Sequence, residues 1–314
     1  MQGPDAAGTG GGTTGCATDR ATPTPAAGQA VRATGPTMPR LLVGARLRRL
    51  REARGIGQGE AAAAIQASLA KIRRMELGRS GFKLRDLRDL LTLYGLTSEA
   101  ERATLMALAR QANVPGWWQP YADVIPSWFA PYLGLEQAAE VIRAYEAQLV
   151  PGLLQTAAYA RAVIALGHPH ALPSEIDRRL ELRLRRQSVL RPPQPVRLWV
   201  VIDEAALRRP MGGRGTMREQ LRHLLTMSEL SNVTVQVMPF ERGAHVAEGG
   251  SVCLLRLPGG LLPDVVYIEH LTSAAYPAKP AEVERYQQVM DRLVVAAAPV
   301  DRTEEIVHRI LAEM

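Results

Sequence analysis

The chain has 314 residues, 46% of them apolar and 22% charged, so it is long enough for two domains with hydrophobic cores. No apolar run reaches the ~18 residues of a membrane span, and the first residues lack the basic start and apolar stretch of a signal peptide. The two cysteines, Cys16 and Cys253, exclude a disulfide framework and a cysteine-rich metal site. We therefore expect a cytoplasmic protein that needs no metal or other cofactor.

The net charge of +7 is unevenly distributed along the chain. Residues 40–114 hold 15 Lys and Arg against 7 Asp and Glu, a net charge of +8, whereas residues 115–314 hold 21 against 22. An excess of positive charge confined to one segment is typical of a module that binds a polyanion such as DNA. The sequence thus predicts a basic nucleic-acid-binding domain joined to a neutral domain.

Composition divides this multidomain chain into five segments. Residues 1–38 consist mainly of Gly, Ala, Thr and Pro and are expected to form a disordered tail, because they lack large apolar side chains. Alternatively, translation starts at Met38. The remaining segments are an all-α five-helix domain at 39–112, an aromatic and Pro-rich linker at 113–132, an α+β C-terminal domain at 133–300 and a final helix at 301–314.

Residues 57–78 predict two short helices joined by a tight turn. Ser68 is expected to cap the second helix, and Gly78 to end it in the left-handed conformation. The apolar residues at the spacing that buries one face of each helix are Ala62, Ile65, Ile72 and Met75. The residues left on the other side of the second helix are Leu69, Ala70, Lys71, Arg73 and Arg74.

This segment resembles the helix-turn-helix of the Cro/phage-repressor family, also called the XRE family. The shared pattern is Gln58 followed by small residues, a turn with a serine, and the run Ile-Arg-Arg-Met-Glu-Leu-Gly at 72–78. One departure is Gln66, where the family usually has Gly in the turn. A helix is also predicted over residues 41–54, before the motif. The resemblance implies that Arg51 of this helix pairs with Glu76, so that the second short helix of the motif is held on it.

A short, partly cationic helix supported by a partner helix suits the major groove of DNA, so residues 68–77 are predicted to be the recognition helix. We expect Lys71 and Arg74 to donate hydrogen bonds to guanine, and Leu69 and Ala70 to contact thymine methyl groups. The side chains expected on phosphates are Gln58, Arg73 and Arg79. The complete set of predicted DNA-binding residues is Gln58, Ser68, Leu69, Ala70, Lys71, Arg73, Arg74, Arg79 and Lys83. Solvation alone remains an alternative for Arg79 and Lys83.

The C-terminal half predicts helices followed by a small mixed α/β unit. The predicted helices begin with 135–148, 156–166 and 174–190, and the predicted strands are 196–202, 233–238, 251–257 and 264–269. Gly259-Gly260 is expected to form the turn between the last two strands. Five arginines lie on the helix at 174–190, and a solvated or partner-facing surface is favoured there over a second DNA site. The aromatic cluster favoured as packing between domains over a ligand groove is Trp117, Trp118, Trp128 and Phe129.

Several phrases of the chain resemble the WhiJ-like regulators of actinobacteria over roughly residues 40–300. Examples are Ile125-Pro-Ser-Trp-Phe, Val150-Pro-Gly-Leu-Leu-Gln-Thr and Val235-Gln-Val-Met-Pro-Phe. The resemblance implies a transcriptional regulator and an antitoxin-like pairing with a small protein encoded nearby. It supplies no ligand for the C-terminal domain.

Acidic and histidine residues at strand ends, such as Asp203, Glu204, Glu269 and His270, form no recognisable catalytic pattern. We therefore expect a DNA-binding regulator and not an enzyme. A single helix-turn-helix rarely binds tightly, so a homodimer on double-stranded DNA with a two-fold site is expected. The C-terminal domain would sense a ligand or a small protein partner. The alternative is an antitoxin-like interaction module whose DNA binding is autoregulatory.

Overall fold

A computed structural model describes residues 35–258, 262–277 and 279–314. The first 34 residues of the predicted tail, and the turn predicted at Gly259-Gly260, lie outside the described residues. The helical domain begins earlier than residue 39, because Thr37 and Met38 already belong to the first helix and are buried. Met38 packs in the main core of the C-terminal domain, so its apolar side chain has a partner that the local sequence does not reveal.

The N-terminal domain consists of five helices around one apolar core, as the sequence predicts. The helices are α1 (Thr37–Ala53), α2 (Gln58–Ala64), α3 (Leu69–Glu76), α4 (Leu84–Leu93) and α5 (Glu99–Ala112). The four predicted inward residues, Ala62, Ile65, Ile72 and Met75, are all buried in this core. Their burial confirms the helical period assigned to residues 57–78.

The ends of the short helices are fixed by local chemistry. Ser68 Oγ accepts a hydrogen bond from the Lys71 backbone N–H at 3.2 Å, which confirms the predicted cap of α3. Gly78 has φ +65°, which confirms the left-handed end of that helix. In the turn before α3, Gln66 has φ +51° and is the one described residue other than glycine with positive φ. The departure from Gly at this position is therefore a strained one.

The helix predicted over residues 135–148 is wrong. The chain instead forms α6 (Ala130–Ala138) and then strand β1 (Val141–Glu146). Ile142 and Ala144 of β1 point into the core, and both edges of the strand are paired with neighbours. Because these pairings come from distant parts of the chain, tertiary structure overrides the local helical pattern.

The C-terminal domain is built on a six-stranded mixed sheet in the order β3-β2-β1-β4-β5-β6. The strands after β1 are β2 (Arg197–Asp203), β3 (Val233–Met238), β4 (Val252–Arg256), β5 (Val265–Glu269) and β6 (Ala274–Ala275). The pairings β1–β2 and β2–β3 are parallel, whereas β1–β4, β4–β5 and β5–β6 are antiparallel. This sheet confirms an α+β domain.

Helices cover both faces of the sheet. The remaining helices are α7 (Ala157–Gly167), α8 (Pro173–Arg186), α9 (Glu204–Arg208), α10 (Arg214–Ser228), α11 (Pro280–Ala296) and α12 (Thr303–Glu313). Side chains of α6, α10 and α12 form the main core on one face, and α11 packs on the other. Among the described helices, none is long and apolar enough to cross a lipid bilayer.

The aromatic residues of the segment before α6 are packed against α8. Trp118 is buried, and Trp117 meets it edge to face at 6.0 Å. The guanidinium of Arg185 lies 5.0 Å from the ring centre of Trp117. Phe129 stacks on Tyr132 at 5.4 Å. Trp118 is thus buried and Trp117, Trp128 and Phe129 are half-buried, in keeping with the packing interpretation.

Helix α1 belongs to both domains. Its first residues, around Met38, pack in or against the C-terminal core, with Leu41 and Leu42 at the edge of that core. Farther along, Leu47 is buried in the core of the five-helix domain. The same helix therefore carries the joint between the domains and the support for α3.

Candidate nucleic-acid interface

The exposed side of α3 is formed by the residues that the sequence assigned to it. Leu69 is 54% exposed, and Ala70, Arg73 and Arg74 are exposed as well. Ile72 and Met75 on the opposite side are each 1% exposed, so the helix presents one fixed face. A helix held in this way can enter the major groove without reorganising its own core.

Four of the predicted cations are free to meet DNA. Arg73, Arg74, Arg79 and Lys83 are exposed, and none of them forms a side-chain ion pair with another described residue. Arg79 and Lys83 follow α3 in the loop that leads to α4, so they flank the exposed face. Their charges would meet phosphates, which position a protein on DNA without reading its sequence.

Lys71 has a different environment from these four cations. Its ammonium group forms an ion pair with Asp86, whose side chain is almost completely buried in the first turn of α4. Asp86 was not among the predicted residues, although an acid next to the buried Leu87 was a visible signal. The predicted contact with guanine therefore requires the Lys71 ammonium group either to leave Asp86 or to donate one N–H to Asp86 and another to the base.

Gln58 and Glu76 belong to one hydrogen-bonded network. Arg51 Nε and Nη2 donate to the two carboxylate oxygens of Glu76 at 2.5 and 3.0 Å, which confirms the predicted pair. Gln58 Nε2 donates to Glu76 Oε2 at 2.8 Å, and Arg51 Nη1 donates to the Ile56 carbonyl at 2.9 Å. The hydrogen bond that Arg51 donates to Glu76 raises the pKa of Arg51. The Gln58 amide group is thus held by the protein, and its predicted phosphate contact stays a prediction.

A glycine allows α1 and α3 to lie close together. A Cβ atom at Gly44 would collide with the Met75 carbonyl oxygen and lie 2.8 Å from that of Glu76. Gly44 was not among the predicted residues, although a glycine inside a helix often marks close backbone approach. The angle of the recognition helix therefore depends on α1, which also reaches the C-terminal core.

The acidic and histidine residues of the C-terminal strand ends are spread over separate groups. Asp203 and His245 lie 3.6 Å apart, and the Tyr145 hydroxyl is 3.1 Å from each of them. Glu204 accepts a hydrogen bond from Arg208 Nε at 2.7 Å. Glu269 lies on a different strand, where it accepts from the Tyr267 hydroxyl at 2.8 Å.

Comparison with protein families assigns the helical segment and the C-terminal domain to separate family models. Residues 129–309 match the model of a family described as a domain of unknown function (DUF5753). Residues 42–105 match the model of a helix-turn-helix domain, which confirms the motif assigned to α2 and α3. Searches of curated proteins and of solved structures found no match.

Proposed function

We propose that this chain, which belongs to the family described as a domain of unknown function (DUF5753), is a sequence-specific DNA-binding transcriptional regulator. The observation that carries the proposal is the exposed cationic face of α3 inside a matched helix-turn-helix domain. The surrounding segment, residues 40–114, holds the net charge of +8, which favours approach to a polyanion.

The recognition helix reads bases mainly through Arg74 and the apolar pair at its start. Arg74 is exposed and has no ion pair among the described residues, so it can donate two hydrogen bonds to guanine. Leu69 and Ala70 contact thymine methyl groups. Arg73 and Arg79 bind phosphates, and Lys71 adds a base contact when it is released from Asp86.

We also propose that the chain is an XRE-family regulator of the WhiJ-like type. The resemblance to XRE-family repressors and to WhiJ-like actinobacterial regulators supports a homodimer on a two-fold operator. The DUF5753 domain then acts as the sensor, and α1 links it to the recognition helix because α1 packs against both. In this proposal the protein is not an enzyme.

A second proposal follows from the same resemblance. The C-terminal domain would bind a small protein encoded nearby, in the manner of an antitoxin, and DNA binding would serve autoregulation. Purification of the native protein separates the two proposals. A small protein at equal stoichiometry would support this second one, and a bound metabolite would support the sensor.

The decisive experiment replaces Arg74 with Ala after the operator has been selected from a pool of random duplex DNA. The loss of one bidentate guanine contact is expected to cost about 1–3 kcal/mol of binding free energy and to relax preference at one base pair. Fluorescence anisotropy at several salt concentrations measures both the affinity and the salt dependence.

The matched control is Arg110→Ala, which removes an exposed arginine from α5, away from the recognition helix. It should leave the operator preference unchanged. Arg79→Ala should weaken binding to all sequences alike and lower the salt slope by about 1. Equal binding of the wild-type protein to every sequence in the pool would contradict the proposal.

A further inference from the structure

The carboxyl ends of β1, β2, β3 and β5 lie at one edge of the C-terminal sheet. The first three strands are parallel, and β5 runs in the direction of β1 because β4 is antiparallel to both. In the sheet, β1 lies between β2 and β4. The chain passes from β1 to β2 and β3 on one side, and after β3 it crosses to β4 on the other side of β1. Ligands of open α/β sheets bind beyond the carboxyl ends of strands at such a change of direction. The topology therefore favours a ligand at the end of β1.

Two carboxylates and a hydroxyl occupy this edge. Glu146 ends β1, Glu269 ends β5, and Ser251 lies between them just before β4. The strand register puts the three residues in one row across the sheet. Ser251 is hydrogen-bonded to the Glu146 side chain, and its Oγ accepts from the Ala147 backbone N–H at 3.2 Å.

Arg183 of α8 lies close enough to Glu269 at this edge for their charges to attract each other, but the two side chains form no ion pair. The other arginines of α8 have a carboxylate or an aromatic ring as partner: Arg178 with Asp123, Arg179 with Glu175, Arg185 with Trp117 and Arg186 with Glu136. Arg183 Nη1 donates instead to the neutral Oε1 of Gln155 at 3.0 Å. Within the described part of the chain, no carboxylate is close enough to Arg183 for an ion pair.

Glu146 and Arg183 are both partly withdrawn from water. Burial, with repulsion from Glu269, raises the pKa of Glu146 to about 7. Burial, with repulsion from Arg186, lowers the pKa of Arg183 to about 10. Glu146 likewise lacks a basic partner at ion-pair distance in the described ranges. A desolvated charge without a partner costs free energy, which a ligand of opposite charge would recover.

We propose that this edge binds a small zwitterion of the amino-acid type, its ammonium group against Glu146 and Glu269 and its carboxylate against Arg183. The two carboxylates can balance the positive charge of an ammonium group. The planar guanidinium can bind a carboxylate through two parallel hydrogen bonds. Glu269 is exposed, so the site opens to solvent on that side. The inference rests on the proposed sensor role of the C-terminal domain, but binding to this site requires no DNA.

The first experiment uses the full-length protein and the twenty standard L-amino acids as probes. Thermal shift identifies an amino acid that binds, and titration calorimetry measures its affinity. Its N-acetyl derivative, which lacks the ammonium charge, and its methyl ester, which lacks the carboxylate, should each bind more than ten-fold more weakly. Failure of all twenty amino acids to bind, or equal binding of either derivative, would overturn the proposal.

The affinity should also depend on pH, with a definite sign. Ionised Glu146 is the form that an ammonium group requires, so affinity should rise by roughly ten-fold between pH 6 and pH 8 for a group that titrates near pH 7. The other titratable groups that act on Glu146 or share its surroundings are Glu269, Tyr159 and Cys253. An affinity that falls over this range would contradict the assigned role of Glu146.

Variants locate the site. Glu146→Gln and Arg183→Gln should each lower the affinity for the same amino acid more than ten-fold. The matched controls Glu140→Gln, at the other end of β1, and Arg185→Gln, on α8, remove exposed charges outside the site and should keep wild-type affinity. Wild-type affinity in both site variants would place the ligand elsewhere and overturn the proposal. If a variant unfolds, the two derivatives on the wild-type protein still decide. DNA binding is measured separately, so its failure is distinguishable from failure at this site.

Discussion

Helices α3 and α8 are both rich in arginine, but their side chains have different surroundings. Arg73 and Arg74 on α3 are exposed and have no ion pair with another described residue. On α8, by contrast, Arg186 is buried against Glu136, and Arg178 pairs with Asp123. The helix with more arginines is therefore the one whose arginines have partners within the protein.

The difference shows that the density of arginine does not identify a DNA-binding surface. A guanidinium that already has a carboxylate partner would have to lose that partner before it could bind phosphate. On α3 the apolar residues hold the helix, so its arginines are left for a partner outside the protein. Substitutions at the side chains that make the two helices different test this explanation.

The largest effect is expected for Arg186→Met, which leaves Glu136 buried without its cation. Glu136 is 1% exposed and accepts from Arg186 Nε and Nη2 at 2.9 and 2.8 Å. Removal of one member of such a pair should lower the free energy of unfolding by about 3–5 kcal/mol. Chemical denaturation followed by circular dichroism measures the change.

The control for this prediction is Arg185→Met on the same helix, which removes a contact with the Trp117 ring and should cost about 1 kcal/mol or less. The double variant Arg186→Met/Glu136→Met should regain much of the loss, because no charge remains buried. A double variant as unstable as Arg186→Met would mean that packing, and not the unpaired charge, sets the cost.

The next effect is expected for Gly44→Ala, which pushes α1 away from α3. The added methyl group collides with the backbone of Met75 and Glu76, so the free energy of unfolding should fall by about 1–3 kcal/mol. Affinity for the operator should fall as well, since the recognition helix shifts. Gly59→Ala is the matched control. It meets nothing within 4 Å and should stabilise α2 by about 0.5–1 kcal/mol.

A smaller effect is expected for Asp86→Asn, which makes Lys71 more like the free cations of α3. The loss of the ion pair should lower the free energy of unfolding by about 1–2 kcal/mol. The released ammonium group should increase DNA affinity and the salt slope. Asp89→Asn changes the net charge equally from an exposed position on the same helix. Equal DNA affinity in the two variants would show that Lys71 does not contact DNA.

The recognition helix was predictable because its determinants are local. The spacing of Ile72 and Met75, the serine cap and the glycine at the helix end all lie within eleven residues, 68–78. The pair Arg51–Glu76 came from the family resemblance and not from spacing. Asp86 was missed because the contact of its side chain with Lys71 depends on how α4 packs beside α3.

Strand β1 shows what the sequence could not supply. Val141, Ile142 and Tyr145 favour a strand, but the helical period assigned to residues 135–148 concealed this signal. In the structure both edges of β1 are paired, with β2 and β4. Those partners lie more than 50 residues away in the chain, as Ile142–Leu198 and Ile142–Leu255 show. Because β1 was predicted to be part of a helix, the alignment of Glu146 with Ser251 and Glu269 could not be predicted either.

The sequence by itself determined the helix-turn-helix, the exposed face of its second helix and the concentration of positive charge around it. These features depend on residues a few positions apart, whose geometry in a helix is fixed. Tertiary structure decided which cations are free, because the partner of each arginine or lysine is set by packing between distant segments. It also brought Glu146 and Glu269, which are far apart in sequence, into one row at the end of the sheet.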